Sequence, residues 1–281
     1  MRVAFVLPAG GSAGAAQVGM LQALFEAGIR PDLLVGCSVG ALNATFVASE
    51  PTARRVAELR SIWLSITRAD IFGSGRSRML LRVALQQGHV YDDVPLRTLI
   101  SRFCTLVDLA DTVIPVHVVT TDLDDGVARW WSRGPCAQLL YASACLPGLL
   151  PPEVLDGHRH VDGGVLEPVP VQRAVELDAT TIYVLGEGDL AAPPPGRLSA
   201  LQVLLRSFAI SRYTRLPEFT ALAHPGQQVI VLRGASTAGL DIRDFSKTSQ
   251  LIVESYELTR AQLGTDAAAS PREASASPAV R

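Results

Sequence analysis

Charge is scarce in this sequence. Asp, Glu, Lys and Arg make up 19% of its 281 residues, with 25 basic and 27 acidic side chains. A net charge of −2 leaves no basic excess and argues against a general nucleic-acid binder. Cysteine is also scarce. Cys37, Cys104, Cys136 and Cys145 form no C-x-x-C pair, and no histidine follows them at zinc-ligand spacing. A disulfide framework is not expected in so long and cysteine-poor a chain. The expectation is four reduced, mostly buried thiols in a cytoplasmic protein.

Long apolar runs are missing too. The opening Val3–Leu7 run is too short for the core of a secretory signal and lacks a cleavage pattern. The segment from Leu33 to Ala48 is interrupted by Gly36, Ser38, Gly40 and Asn43, which excludes a spanning helix. A soluble chain is expected, with any membrane contact peripheral.

Apolar material for a core is ample, at 48% of the residues. Its pattern alternates short β-type runs with helical spacing. Strands are expected at Val3–Leu7, Leu33–Gly36, Ile114–Thr121, Ala128–Ser132, His158–Val161, Thr180–Leu185 and Gln228–Leu232. Helices are expected at Gln17–Ala27, Ala41–Ala48, after Pro51, and at Pro135–Ala144. Such alternation predicts an α/β fold: three layers, α/β/α, around a central, mostly parallel sheet. From Gly264 onward the chain turns to Ala, Ser and Pro. Residues 1–263 are therefore read as one domain and 264–281 as a disordered tail.

Gly36-Cys37-Ser38-Val39-Gly40 fits G-x-S-x-G. It follows an apolar strand and precedes a helix. A serine on so sharp a turn presents its hydroxyl, and small flanking residues let the backbone fold that tightly. The competing reading is a glycine-rich strand–helix turn with an incidental serine.

Upstream lies Pro8-Ala9-Gly10-Gly11-Ser12-Ala13-Gly14, between the first strand and first helix. A tight turn would account for it. A dinucleotide site would want glycine where Ala9 stands, and Asp32 precedes the second strand instead of ending it. The preferred reading is an oxyanion loop, because adjacent glycines leave backbone amides uncovered. Both turns would then meet at one sheet edge.

A serine nucleophile needs a base. None of His89, His117, His158, His160 and His224 stands in a telling setting. Asp162-Gly163-Gly164, at the end of a short strand, does.

Here the chain resembles the patatin-like phospholipase family. Four motifs carry the resemblance, in the family's order. They are Gly10 to Gly14, Gly36 to Gly40, Ala142-Ser143-Ala144-Cys145-Leu146-Pro147-Gly148 with Pro151-Pro152, and Asp162-Gly163-Gly164 with Pro168 and Pro170. The likeness spans roughly residues 3–185. It implies hydrolysis of acyl ester bonds in a lipid or lysophospholipid substrate, without a cofactor or metal. Ser38 would be the nucleophile and Asp162 its base. Gly10, Gly11 and Val39 would form the oxyanion hole, and Gly14, Gly36, Gly40, Gly163 and Gly164 would support the motifs. Two departures stand out: Ala9 replaces a glycine, and Ala13 stands where a basic residue is usual. Acyl ester hydrolysis is therefore the firmer expectation, with neutral short-chain esters cleaved at least as readily as phospholipids. The rival readings are a catalytically weak lipid-binding or regulatory protein and a dinucleotide-binding enzyme.

Four further features allow more than one reading. Asp122-Leu123-Asp124-Asp125-Gly126 suits a hairpin turn, since Arg133 stands where a calcium loop needs glutamate. His158-x-His160-x-Asp162 puts three polar side chains on one strand face without a known metal-ligand pattern. Leu201, Leu204, Leu205 and Phe208 form an apolar stripe among Arg197, Arg206, Arg212 and Arg215. A helix packed on the sheet is expected there. The alternative is a basic amphipathic helix on an anionic membrane. Met79, Leu80, Leu81 and Val83 suit an acyl tunnel or a core equally.

Overall fold

A computed structural model gives the fold. It describes residues 1–73, 88–186, 197, 203, 206–207, 210, 222–237, 241 and 243–269, the last five as backbone only. The stripe from Leu201 to Phe208 and the Met79–Val83 segment lie outside the described residues, apart from isolated positions.

The chain begins with β1 (Val3–Leu7), α1 (Ala15–Glu26), β2 (Leu33–Cys37) and α2 (Val39–Ser49). Next come α3 (Ala53–Ser65), the single turn α4 (Ala69–Phe72) and α5 (Val94–Phe103). A hairpin of β3 (Val116–Asp122) and β4 (Val127–Trp131) precedes α6 (Cys136–Ala144). Then follow β5 (Glu153–Leu155), β6 (His158–Asp162), α7 (Val171–Glu176), β7 (Thr181–Gly186), β8 (Gln228–Arg233) and α8 (Thr248–Ala269). Every expected strand is present, and the Asp124–Gly126 turn joins β3 to β4 as anticipated. The final helix runs past residue 263 to Ala269.

The strands form one sheet in the order β5-β6-β3-β2-β1-β7-β8, with β4 also paired to β3. β1, β2, β3, β7 and β8 run parallel; β4 and β6 are antiparallel to β3, and β5 to β6. Side-chain alternation splits the core into two layers. Phe5, Leu7 and Leu34 face the larger one, built with α1, α2, α3, α5 and α6. Ala4, Val6, Leu33 and Val35 face the smaller one, closed by Val171, Ala174 and Val175 of α7. Strands buried on both faces read as unbroken apolar runs, as β1 and β2 do.

α8 lies along α1 at close range. A methyl on Gly19 would overlap the Ile252 carbonyl, so the missing side chain sets the helix separation. Tyr256 on α8 closes the contact by donating its hydroxyl proton to Glu26 at 2.5 Å.

One expectation is corrected. Cys104, just past α5, and Cys136, at the start of α6, form a disulfide, and only Cys37 and Cys145 are free. Nothing local in the sequence marks this pair, because packing of the two helices brings together positions 32 residues apart. The argument for a reducing compartment that rested on four free thiols falls with it. Among the described residues, no helix is long and apolar enough to cross a membrane.

Candidate active site

The sheet register joins the two key residues. On β3, Val119 pairs with Cys37 of β2, and the next residue, Thr120, pairs with Asp162 of β6. β3 thus carries the end of β2 and the end of β6 side by side. Ser38 follows Cys37 immediately.

Ser38 is the sharp corner between β2 and α2. Its backbone sits at φ 55° and ψ −126°, a conformation that side-chain-bearing residues rarely adopt. Such strain costs of order 1–3 kcal/mol and persists where surroundings enforce it. Here they do. The Ser38 amide donates to Ser143 Oγ on α6 at 2.9 Å, and the Ser143 hydroxyl donates to the Val119 carbonyl at 2.7 Å. The Ser38 carbonyl accepts from Ala41 and Leu42, starting α2. The positive end of α2 therefore lies at the serine. Gly40 allows the corner, because a methyl there would overlap the Leu7 carbonyl.

The Ser38 hydroxyl donates to Asp162 Oδ2 at 2.6 Å. Both residues are buried, with 7% and 3% of their surface exposed. Asp162 is fixed from several directions. Its Oδ1 accepts from the Gly164 amide at 2.7 Å, its own amide donates to the Cys145 carbonyl, and its carbonyl accepts from Thr121 Oγ1. The Cys37 thiol approaches Oδ1 at 3.9 Å. Burial, aided by the Asp162 charge, pushes the Cys145 thiol far above its usual range, so this buried sulfur stays protonated.

The glycine loop faces this pair. Gly10, Gly11, Ser38, Val39, Asp162 and Gly164 line the same cavity. The Ala9 amide is tied to the Pro168 carbonyl at 2.9 Å, and Gly11 turns at φ +57°. Among the described residues, the amides of Gly10 and Gly11 donate no hydrogen bond. Among the described residues the rest of the cavity wall is apolar, with Leu42, Trp63, Ile66, Phe72, Leu99 and Phe103 in it. None of the five histidines lines it, so Asp162 is the cavity's candidate base.

The remaining motif glycines support these parts by packing. Methyls on Gly14, Gly36 and Gly163 would press on Val39, Ala41 and Val119 respectively. The strand-face histidines stand apart from the pair. His160 is bonded through Nδ1 to Thr120 at 3.0 Å, and His158 lies 3.1 Å from Asp122. Asp122 in turn accepts from the amides of Asp124 and Asp125 and from Arg129, as a hairpin-turn aspartate does. Burial pushes the Asp122 carboxyl up, but these hydrogen bonds outweigh it and hold it below the usual range.

Motif reading named Ser143 within the segment from Ala142 to Gly148 but gave it no part in holding the Ser38 corner. Its signal was a polar residue inside an otherwise apolar helical stretch.

A sheet of this topology, with a serine elbow facing an aspartate across it, is a patatin-like architecture. The sequence profile of the patatin-like phospholipases matches residues 5–175, and the chain belongs to that family. An uncharacterized NTE family protein of Mycobacterium tuberculosis is 31% identical over 193 residues, covering 68% of this chain and 51% of the relative. Human patatin-like phospholipase domain-containing protein 6 is 28% identical over 188 residues, covering 66% of this chain and 13% of its own. The chain thus spans about half the length of its mycobacterial relatives or less of the human one. VipD from Legionella pneumophila shares the fold, with a TM-score of 0.50 at 15% identity, over 94% of this chain and 67% of that one.

Proposed function

We propose that this protein hydrolyses acyl ester bonds of lipid or lysophospholipid type through a Ser38–Asp162 dyad. The observation that carries the reading is the 2.6 Å hydrogen bond between them at the head of an apolar cavity. The cavity suits an acyl chain. With the chain inside, the ester carbonyl lies near Ser38 and the glycine loop.

Ser38 Oγ attacks the carbonyl carbon as Asp162 takes its proton. The carbonyl oxygen becomes an oxyanion, held by the amides of Gly10 and Gly11 with that of Val39. Each such donor is worth about 2–4 kcal/mol of barrier. Collapse expels the alcohol, which leaves with the proton from Asp162, and an acyl-serine remains. Water then repeats the sequence, giving up a proton to Asp162 and releasing the acid. Peripheral contact with a lipid surface completes the proposal. The apolar cavity supports the lipid part alone.

The test is labelling with a fluorophosphonate probe, read by peptide mass spectrometry, on wild type beside Ser38→Ala and Asp162→Asn. An adduct on Ser38, absent in the first variant and greatly slowed in the second, is expected. No adduct, even with lipid micelles present, would turn the reading toward a lipid-binding protein without turnover.

A further inference from the structure

Three polar side chains sit in the core beside the glycine loop, and the acyl-transfer steps touch none of them. Gln17 on α1 and Asn43 on α2 are fully buried, and Trp63 on α3 is 1% exposed. Trp63 Nε1 donates to Asn43 Oδ1 at 2.8 Å. Asn43 Nδ2 donates to Gln17 Oε1 at 2.9 Å and to the Gly14 carbonyl at 3.2 Å. Gln17 Nε2 donates to the Pro8 carbonyl at 2.8 Å. The orientation of both amides follows from the chemistry. An indole N–H can only donate and a carbonyl can only accept, so each oxygen and nitrogen has one consistent place.

The run has a direction. It starts at Trp63, in the cavity wall, and ends at Pro8 and Gly14, the two feet of the loop that carries Gly10 and Gly11. Other ties to that loop are the Ala9 amide on Pro168, the Ala13 amide on Gly10 and the Ser12 hydroxyl on the Asp241 carbonyl. Gly10 and Gly11 have no side chains with which to anchor themselves. Burying two carboxamides is costly unless every polar atom is paired, and apolar residues would fill the same space more cheaply. Here the pairing is spent on the loop.

We propose that Gln17 and Asn43 are positioning residues for the oxyanion amides, with Trp63 fixing the orientation of Asn43. This inference rests on the hydrolase reading above. The amides must meet the oxyanion where it forms, so a loop loose by a fraction of an ångström weakens the transition state more than the bound ester.

The test uses the full chain and a p-nitrophenyl butyrate assay, with melting temperatures recorded for each variant. Gln17→Met keeps the volume and removes the donor. Asn43→Ala removes the hub. Trp63→Phe keeps an aromatic wall and removes only the N–H. The first two are expected to lower kcat about ten- to a hundredfold with KM within about twofold, and the third about threefold. Should Asn43→Ala fail to fold, the other two decide. Unchanged kcat with lowered melting temperature, or a raised KM at unchanged kcat, would overturn the positioning role and leave the hydrolase reading intact. A wild type with neither turnover nor a Ser38 adduct would overturn both.

Discussion

Ser143 accepts a hydrogen bond from the backbone amide of Ser38 at 2.9 Å, and its hydroxyl donates one to the Val119 carbonyl. It therefore clamps the strained corner of the nucleophile to the neighbouring strand. It also removes the Ser38 amide from the set of possible oxyanion donors. Ser143→Ala takes the acceptor from the buried Ser38 N–H, at about 1–3 kcal/mol. The corner is then free to relax away from Asp162. The expected result is a kcat lowered about tenfold to a hundredfold, because small misplacements of a nucleophile are costly. Steady-state kinetics on the folded variant check it. Full kcat with only a lower melting temperature would reduce Ser143 to a packing role.

Gly164 is tied to the base it follows. A methyl placed there would lie 2.9 Å from Asp162 Oδ1 and 3.4 Å from the Ala9 Cβ. Its φ is not in the left-handed region, so backbone strain is not at issue. Gly164→Ala is expected to shift the carboxylate and lower kcat by about tenfold or more while the protein still melts cooperatively. Wild-type kcat in this variant would show that the carboxylate tolerates displacement.

His117 gives the fold a pH signature. It lies half-buried in β3, and burial, with help from Arg173 and Arg2, pushes its pKa down to about 4. An unfolded histidine titrates near 6.5. Between these values the unfolded chain binds a proton that the folded chain does not. Stability therefore rises with pH across that window and is lost as pH falls from about 6.5 toward 4. His117→Gln removes this contribution. Urea unfolding at pH 7 and pH 4.5 is expected to show a smaller acid loss in the variant than in wild type. Equal losses would mean that His117 titrates normally.

Much of this arrangement was legible in the sequence, for local reasons. Short, mostly apolar or β-branched runs marked most of the strands, and Ser38 and Asp162 stood in short, distinctive settings. What the sequence hid was non-local. The register that sets Cys37 and Asp162 on consecutive residues of β3 depends on pairings across roughly eighty and roughly forty positions of chain. β5 has three residues, too few for a periodic signal. The Cys104–Cys136 pair depends on how α5 meets α6. The motif glycines were legible as sites of tight folding, but the atoms they approach were not. Gly14, Gly36, Gly40, Gly163 and Gly164 have no left-handed backbone; they permit close approach, and the strained φ belongs to Ser38 itself.

Substrate choice follows from the charge around the cavity. Among the described residues its lining contains one ionisable group, Asp162, and no lysine or arginine. The loop position that would place a basic side chain beside the oxyanion amides is the buried Ala13. An uncharged ester gains apolar burial there without having to bring an unpaired phosphate near a carboxylate. Neutral short-chain esters are therefore expected to be cleaved at least as fast as a phospholipid of equal acyl length, in parallel kcat/KM measurements. A marked phospholipid preference would refute this. It would also direct mutagenesis to the adjoining polar cleft, where Arg68 and Arg243 lie beside Ile66 and Phe245, two residues shared with the cavity wall. Arg243 there is already paired with Asp241, at 2.5 and 2.9 Å, so a phosphate would have to displace that carboxylate to reach it.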